Sequence, residues 1–234
     1  MSERSFTRRA GHWFALFCGA YLGIAYFVAP ELWTLRDRGA ASKGTMLTRT
    51  PQGIAGDPIN VGLVGTEKDV LHAFAIAKWD TADAVTLRTA IEIGESVLFD
   101  RPYPDAPVSR LLFQGRPQDL AFEQPVGDSA DRRHHVRLWR TAEVGTDGRL
   151  MWLGSASFDM GVGVSHDTGA VTHHIGPDID AERGYLIKSL SEAGMLESSM
   201  QIEGVGATEN GRNGGGDPYF TDGKATVGML RPAT

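Results

Sequence analysis

The sequence predicts an α+β protein: a mostly antiparallel or mixed sheet with a few packed helices, preceded by a single N-terminal transmembrane helix. Three observations carry that expectation. A run near the N-terminus lacks any charge, the segment that follows residue 65 has helical spacing, and from Leu111 onward the chain changes to short apolar runs separated by turn residues.

Residues 10–30, AGHWFALFCGAYLGIAYFVAP, contain no Asp, Glu, Lys or Arg, and about 20 such residues make a helix long enough to cross a bilayer. His12 and Trp13 at one end, with Tyr26, Phe27 and Trp33 toward the other, suit the two interfacial belts. The chain accordingly divides into a basic flank at 1–11, a membrane anchor at 12–33, a linker at 34–59 and a globular domain at 60–234. Arg4, Arg8 and Arg9 ahead of the run favour a cytoplasmic N-terminus and an extracytoplasmic domain on a bacterial inner membrane, although Arg36, Arg38 and Lys43 behind it blunt the asymmetry. A cleaved signal peptide is the rival reading. The run is long for one, and no small-x-small pattern precedes Pro30. A buried soluble helix would carry a polar stripe, which this run lacks.

The 234 residues suffice for one domain plus that segment. Charged residues at 22% and hydrophobic ones at 41% fit a folded chain rather than a disordered one. Net charge is -6 with the basic residues scattered, so no nucleic-acid footprint exists. The single cysteine, Cys18, excludes an intrachain disulfide and a cysteine-based zinc site.

The linker, with RDRGAASKGTMLTRTPQGIAGDP at its centre, has no period. NVGLVG at 60–65 reads as a strand feeding a turn. Thr66 stands three residues before Asp69, a capping-box spacing, and Val70, Leu71, Phe74 and Ala77 recur at helical intervals, predicting a helix over 67–79. Leu87, Ala90, Ile91, Gly94, Val97 and Leu98 predict a second helix, stopped by RPYPDAP. Five strand-like runs follow at 111–113, 120–123, 134–141, 150–159 and 170–175. A last helix starts near Pro177, carries Asp178, Asp180 and Glu182 early, and ends at Gly194, with Ile179, Leu186, Leu190 and Ala193 on its apolar face. The tail is strand-like at both ends of a glycine-rich loop.

Four words of this sequence, GRPQDLAFEQP, RHHVRLWRT, TGAVTHHIGPDIDAERGYL and GGGDPYFTDG, occur in an order that resembles the C-terminal domain of the LssY-like family of bacterial proteins, over roughly residues 60–231. The resemblance implies architecture more than chemistry, because it brings no catalytic residues. Such domains are commonly joined to membrane-embedded modules resembling type 2 phosphatidic acid phosphatases or DedA-type proteins. This chain departs from that layout by having one apparent span, so no lipid-phosphatase activity is carried over.

Chemistry therefore has to be read from the residues. Adjacent side chains of a strand point to opposite faces, so each of the pairs His134-His135 and His173-His174 contributes one histidine per face. His134 and His173 alternate with Val136, Leu138, Val171 and Ile175, which predicts core histidines held by backbone or a carboxylate. His135 alternates with Arg133 and Arg137, and His174 with Thr172, which makes these two the site candidates if their strands are neighbours. Asp159 or the acids of the last helix would complete that face. Histidine with carboxylate does general acid-base work or holds a zinc-like metal, so His135, His174 and Asp159 are the catalytic candidates and His135 and His174 the metal candidates. Arg116, Arg133, Arg137 and Arg183 are the candidates for gripping phosphate or carboxylate. The alternative for this face is a solvated or anion-binding surface.

Asp178 and Asp180 argue against an anion at the last helix, since they would occupy its free amides. Asn210, Asp217 and Asp222 offer oxygens to a hard cation without the spacing of an EF-hand. Neither a Walker A nor a dinucleotide fingerprint occurs, and no Gly-x-Ser-x-Gly elbow or His-Glu-x-x-His is present. With no complete catalytic signature, the leading expectation is an anchored domain that binds an envelope protein or a lipid-linked ligand. The alternative is a hydrolase, metal-dependent or not, that acts on a phosphorylated or lipid-linked substrate using His135, His174 and Arg137. No cofactor is specified by the sequence.

Overall fold

The computed structural model describes residues 3–32, 46–82, 111–127, 132–145, 147–206 and 210–233. The chain starts with α1 (Glu3–Gly23), which runs through a π-helical turn (Ile24–Val28) and continues to Leu32. Within it, Arg9–Leu32 is long and apolar enough to cross a membrane. At 1.5 Å per residue these 24 residues reach about 36 Å.

Strands β1 (Leu47–Arg49) and β2 (Ala55–Pro58) form an antiparallel hairpin inside the stretch expected to be a linker. Strand structure is therefore present ahead of residue 60. The hairpin closes where Gly53 takes φ +88 and its amide donates to the Thr50 carbonyl. Three-residue strands carry too little alternation to register as a period.

β3 (Val61–Val64) follows, then α2 (Glu67–Ile76). The capping box is present in both directions: the Asp69 amide donates to Thr66 Oγ1, and the Thr66 amide donates to the Asp69 carboxylate. The helix stops three residues earlier than expected, because Lys78 takes φ +62. The expected second helix and its proline stop lie outside the described residues.

The rest of the sheet system is β4 (Asp80–Thr81), β5 (Leu112–Phe113), β6 (Arg116–Pro117), β7 (Leu120–Pro125), β8 (Arg133–Val144), β9 (Leu150–Val164) and β10 (Val171–Ile175). After these come α3 (Ile179–Glu192), β11 (Leu196–Glu203), β12 (Gly211–Arg212), β13 (Pro218–Tyr219) and β14 (Lys224–Leu230). The main sheet has the order β11-β14-β3-β9-β8-β7-β4, and β10 pairs with the far end of β9. Only the β14–β3 contact in it is parallel. This is the mixed, mostly antiparallel α+β architecture that the patterning indicates. A smaller sheet has the order β2-β1-β5-β6, and β12 and β13 pair with each other.

The two faces of the main sheet meet different layers. On one, Val61, Leu63, Phe122, Val136, Leu138, Trp152 and Ala156 pack under Val70, Ala73 and Phe74 of α2 and Leu186 and Leu190 of α3. Phe74 stacks on Phe122 at 3.9 Å. Each fully buried Val, Leu or Phe side chain among these stabilises the fold by about 1.5–3 kcal/mol. On the other face, Trp139 and Leu153 pack against Ile59, Leu111 and Phe113, so the small sheet covers part of it.

Candidate functional site

Beside that second apolar cluster, the same face of β7, β8 and β9 is polar. By register, Glu123 faces His135, His135 faces Ser157, Arg137 faces Ser155, and Arg133 faces Asp159. All seven side chains are buried. Burial of charge is tolerated only with partners, and the partners are present. Arg133 donates to Glu123 at 3.0 Å, and Arg137 donates to Asp57 of β2 at 3.3 Å. Asp57, which the sequence reading left in the linker, is thereby part of this face.

A cavity of about 470 Å³ opens here. Asp57, His135, Arg137, Ser157, Asp159 and His173 line it, together with Tyr26 from the apolar helix. His135 Nδ1 lies 3.0 Å from Asp159 Oδ2. Burial pushes the His135 imidazole down to about 4, against the pull of the Asp159 carboxylate, so the ring is neutral near pH 7. Burial works the other way on Asp159, but His135, His173 and Arg137 outweigh it and hold that carboxyl below the usual range. A neutral ring beside an ionised carboxylate places its proton on Nδ1, donated to Asp159, and leaves the lone pair on Nε2. Among the described residues nothing hydrogen-bonds to His135 Nε2, nor to the hydroxyls of Ser155 and Ser157.

Asp57 is raised above the ordinary aspartate range, first by burial and then by the charges of Asp159 and Asp217, with Arg137 offsetting part of the effect.

A second cluster adjoins the cavity. His174 Nδ1 lies 2.6 Å from Asp217 Oδ1, and His166 Nε2 lies 3.5 Å from the same oxygen. One donor atom from each of the three side chains falls within 4.8 Å of the other two, a group able to hold a metal ion. Asp217 is buried and its second oxygen accepts from the Ile175 amide and Asn213 Nδ2.

The structure thus divides His135 from His174. The cavity takes His173 as the companion of His135, while His174 joins His166 and Asp217. The reason is register: Ile175 pairs with Asp159, so His173, two residues away, shares the side of Asp159 and His135. The bulge beyond Asp159 then carries the pairing on to Val162. Apolar neighbours suggested a core position for His173, but this sheet face is itself polar and covered. His134 does lie on the helix side, 2.8 Å from Glu182 and stacked on Tyr185 at 3.7 Å.

The four arginines separate as well. Arg137 borders the cavity. Arg133 is held by Glu123. Arg116 is exposed and grips Asp119 with both oxygens. Arg183 is forked onto Asp222 and also donates to the Lys224 carbonyl. Asp178 caps α3 by accepting from the Ala181 amide. Tyr26, Asp57, Ser157, His166 and His173 are the site residues that sequence reasoning did not select. Only His166 offered a signal, a histidine inside a turn.

Fold and face together define an α+β domain with a cavity bordered by buried charged and polar side chains, joined to a helix able to cross a membrane. The chain belongs to the LssY C-terminus family, whose model matches residues 41–225. That span takes in β1 and β2, in agreement with Asp57 being a residue of the domain. No curated protein and no solved structure matches the chain.

Proposed function

We propose that this chain is a membrane-anchored hydrolase in which His135, oriented by Asp159, acts as the general base. The observation that carries the reading is the buried His135–Asp159 pair with an unmatched lone pair on Nε2. A buried acceptor without a partner costs about 1–3 kcal/mol. A water or hydroxyl brought against Nε2 gains a hydrogen bond and an acceptor for its proton, as a general base requires.

In the proposed step, the oxygen of that water bonds to the ester carbon or phosphorus as its proton passes to Nε2. The bond to the leaving alcohol breaks, and His135 returns the proton to it. Arg137, which pairs with Asp57 on the cavity wall, holds the anionic group of the substrate.

Two features support a lipid-linked substrate or ligand from the cell envelope. Tyr26 of the apolar helix lines the cavity, and its hydroxyl accepts from the Val171 amide. Val171 and its cross-strand partner Val164 are exposed next to that helix. The arginines at 4, 8 and 9 support an extracytoplasmic domain on a bacterial inner membrane. The same two features also favour the second reading, in which an envelope lipid is bound without chemistry.

The full chain in detergent, supplied with p-nitrophenyl acetate and p-nitrophenyl phosphate, tests the first reading. Turnover of one of them, reduced about 100-fold or more by His135→Gln, is expected. Equal rates for the two proteins would leave only binding.

A further inference from the structure

We infer that His166, His174 and Asp217 form a site for a divalent metal ion of the zinc class, distinct from the His135–Asp159 pair and independent of the hydrolase reading. The three side chains come from three segments: the β9–β10 turn, β10, and the loop between β12 and β13. Nothing in local chain geometry requires them to meet, yet one donor atom from each lies within 4.8 Å of the others.

The ligand set suits the ion. Two neutral imidazoles and one carboxylate carry a single negative charge, and three protein ligands leave a fourth position open, as in zinc centres that bind water. Ligands about 2.1 Å from a tetrahedral ion stand about 3.4 Å apart. His166 Nε2 and Asp217 Oδ1 are already 3.5 Å apart, and the 2.6 Å His174–Asp217 contact has to open by under about 1 Å. The two imidazole rings are 5.1 Å apart, centre to centre. His166 sits on a turn with its side chain 58% exposed, so it can make the adjustment.

The surroundings fix the other two ligands. Asp217 Oδ2 is held by the Ile175 amide at 3.0 Å and Asn213 Nδ2 at 3.3 Å, which leaves Oδ1 to the histidines. Outer-shell bonds of this kind orient a metal-binding carboxylate. His174 is packed with Nε2 against Gly163, where a Cβ would stand 2.2 Å away. Its Nδ1, toward Asp217, is therefore the available ligand atom. The His166 amide donates to the Gly215 carbonyl, so the turn and the loop are joined at the site. An ion here would clip the loop 213–217 to β10, and Asn213, Gly214 and Gly215 of that loop also line the cavity.

The test uses the full-length protein in detergent, with any affinity tag removed, stripped by a chelator and titrated with Zn²⁺ against a chromophoric competitor. Co²⁺ serves as a spectral probe of four-coordinate geometry. One equivalent per chain is expected, weakened about 100-fold or more by His166→Ala and by His174→Gln, and about tenfold by Asn213→Ala. The exposed position of His166 makes its variant safe for folding. Wild-type affinity no tighter than that of His166→Ala, or binding that survives in both histidine variants, overturns the site. Both readouts are of binding alone, so either result leaves the test of His135 untouched.

Discussion

Glu123 and His135 face each other across β7 and β8, both buried, and burial moves their protonation in opposite senses. Burial raises the Glu123 carboxyl to about 7 even against Arg133, and lowers the His135 imidazole to about 4. Between about pH 4.5 and 7 the folded chain keeps a proton on Glu123 that the unfolded chain has released, so this group's contribution to stability falls as pH rises. Between about pH 4 and 6.5 the unfolded chain holds a proton on His135 that the folded chain lacks, so that contribution rises with pH. Each shift corresponds to about 3 kcal/mol, and the two largely cancel in the wild type. Thermal unfolding of the detergent-solubilised chain from pH 4.5 to 6.5 should reflect both opposing contributions, and removal of either group should tilt the profile. Glu123→Gln should expose a stability that rises with pH, and His135→Gln one that falls; parallel curves for the two variants would contradict the assignment.

The arginines near this face differ in what their loss does. Arg137→Ala leaves Asp57 buried beside Asp159 and should lower stability by about 3 kcal/mol. Arg116→Ala removes an exposed pair with Asp119 and should cost less than about 1 kcal/mol. Denaturant titration of both variants checks the order, and comparable losses would mean that Asp57 has another buried partner.

Gly163→Ala would place a methyl group 2.2 Å from His174 Nε2. The variant should lose about 1–3 kcal/mol by overpacking. Adding His174→Ala should restore much of that, a coupling of about 0.5–3 kcal/mol in a double-mutant cycle. Strict additivity of the two changes would show that the clash lies elsewhere.

The apolar helix should keep the full-length chain in the membrane pellet after alkaline carbonate extraction. Mass spectrometry of that pellet should find the residues ahead of Arg9. Release of a shortened soluble chain would indicate signal cleavage instead.

Much of the fold could be read along the chain. The capping box at Thr66 and Asp69, the five short runs from β5 to β10, and the apolar face of α3 at Ile179, Leu186 and Leu190 each depend on neighbours a few residues apart, and all three are found. The β1–β2 hairpin was missed because its strands have three and four residues. The site was legible only in part. Alternation within β8 separated His135 and Arg137 from His134, but the same rule, applied to apolar neighbours in β10, put His173 in the core.

By itself the sequence determined the apolar N-terminal helix, the α+β class and the split of each His-His pair between two faces. Those follow from composition and from a side-chain period that is local to each element. Tertiary structure alone decided that Asp57 meets Arg137, that His173 rather than His174 shares the cavity with His135, and that His166 and Asp217 converge on His174. These depend on packing between the two sheets, on loops that meet across the fold and on the β9–β10 register, and no period within a single segment encodes them.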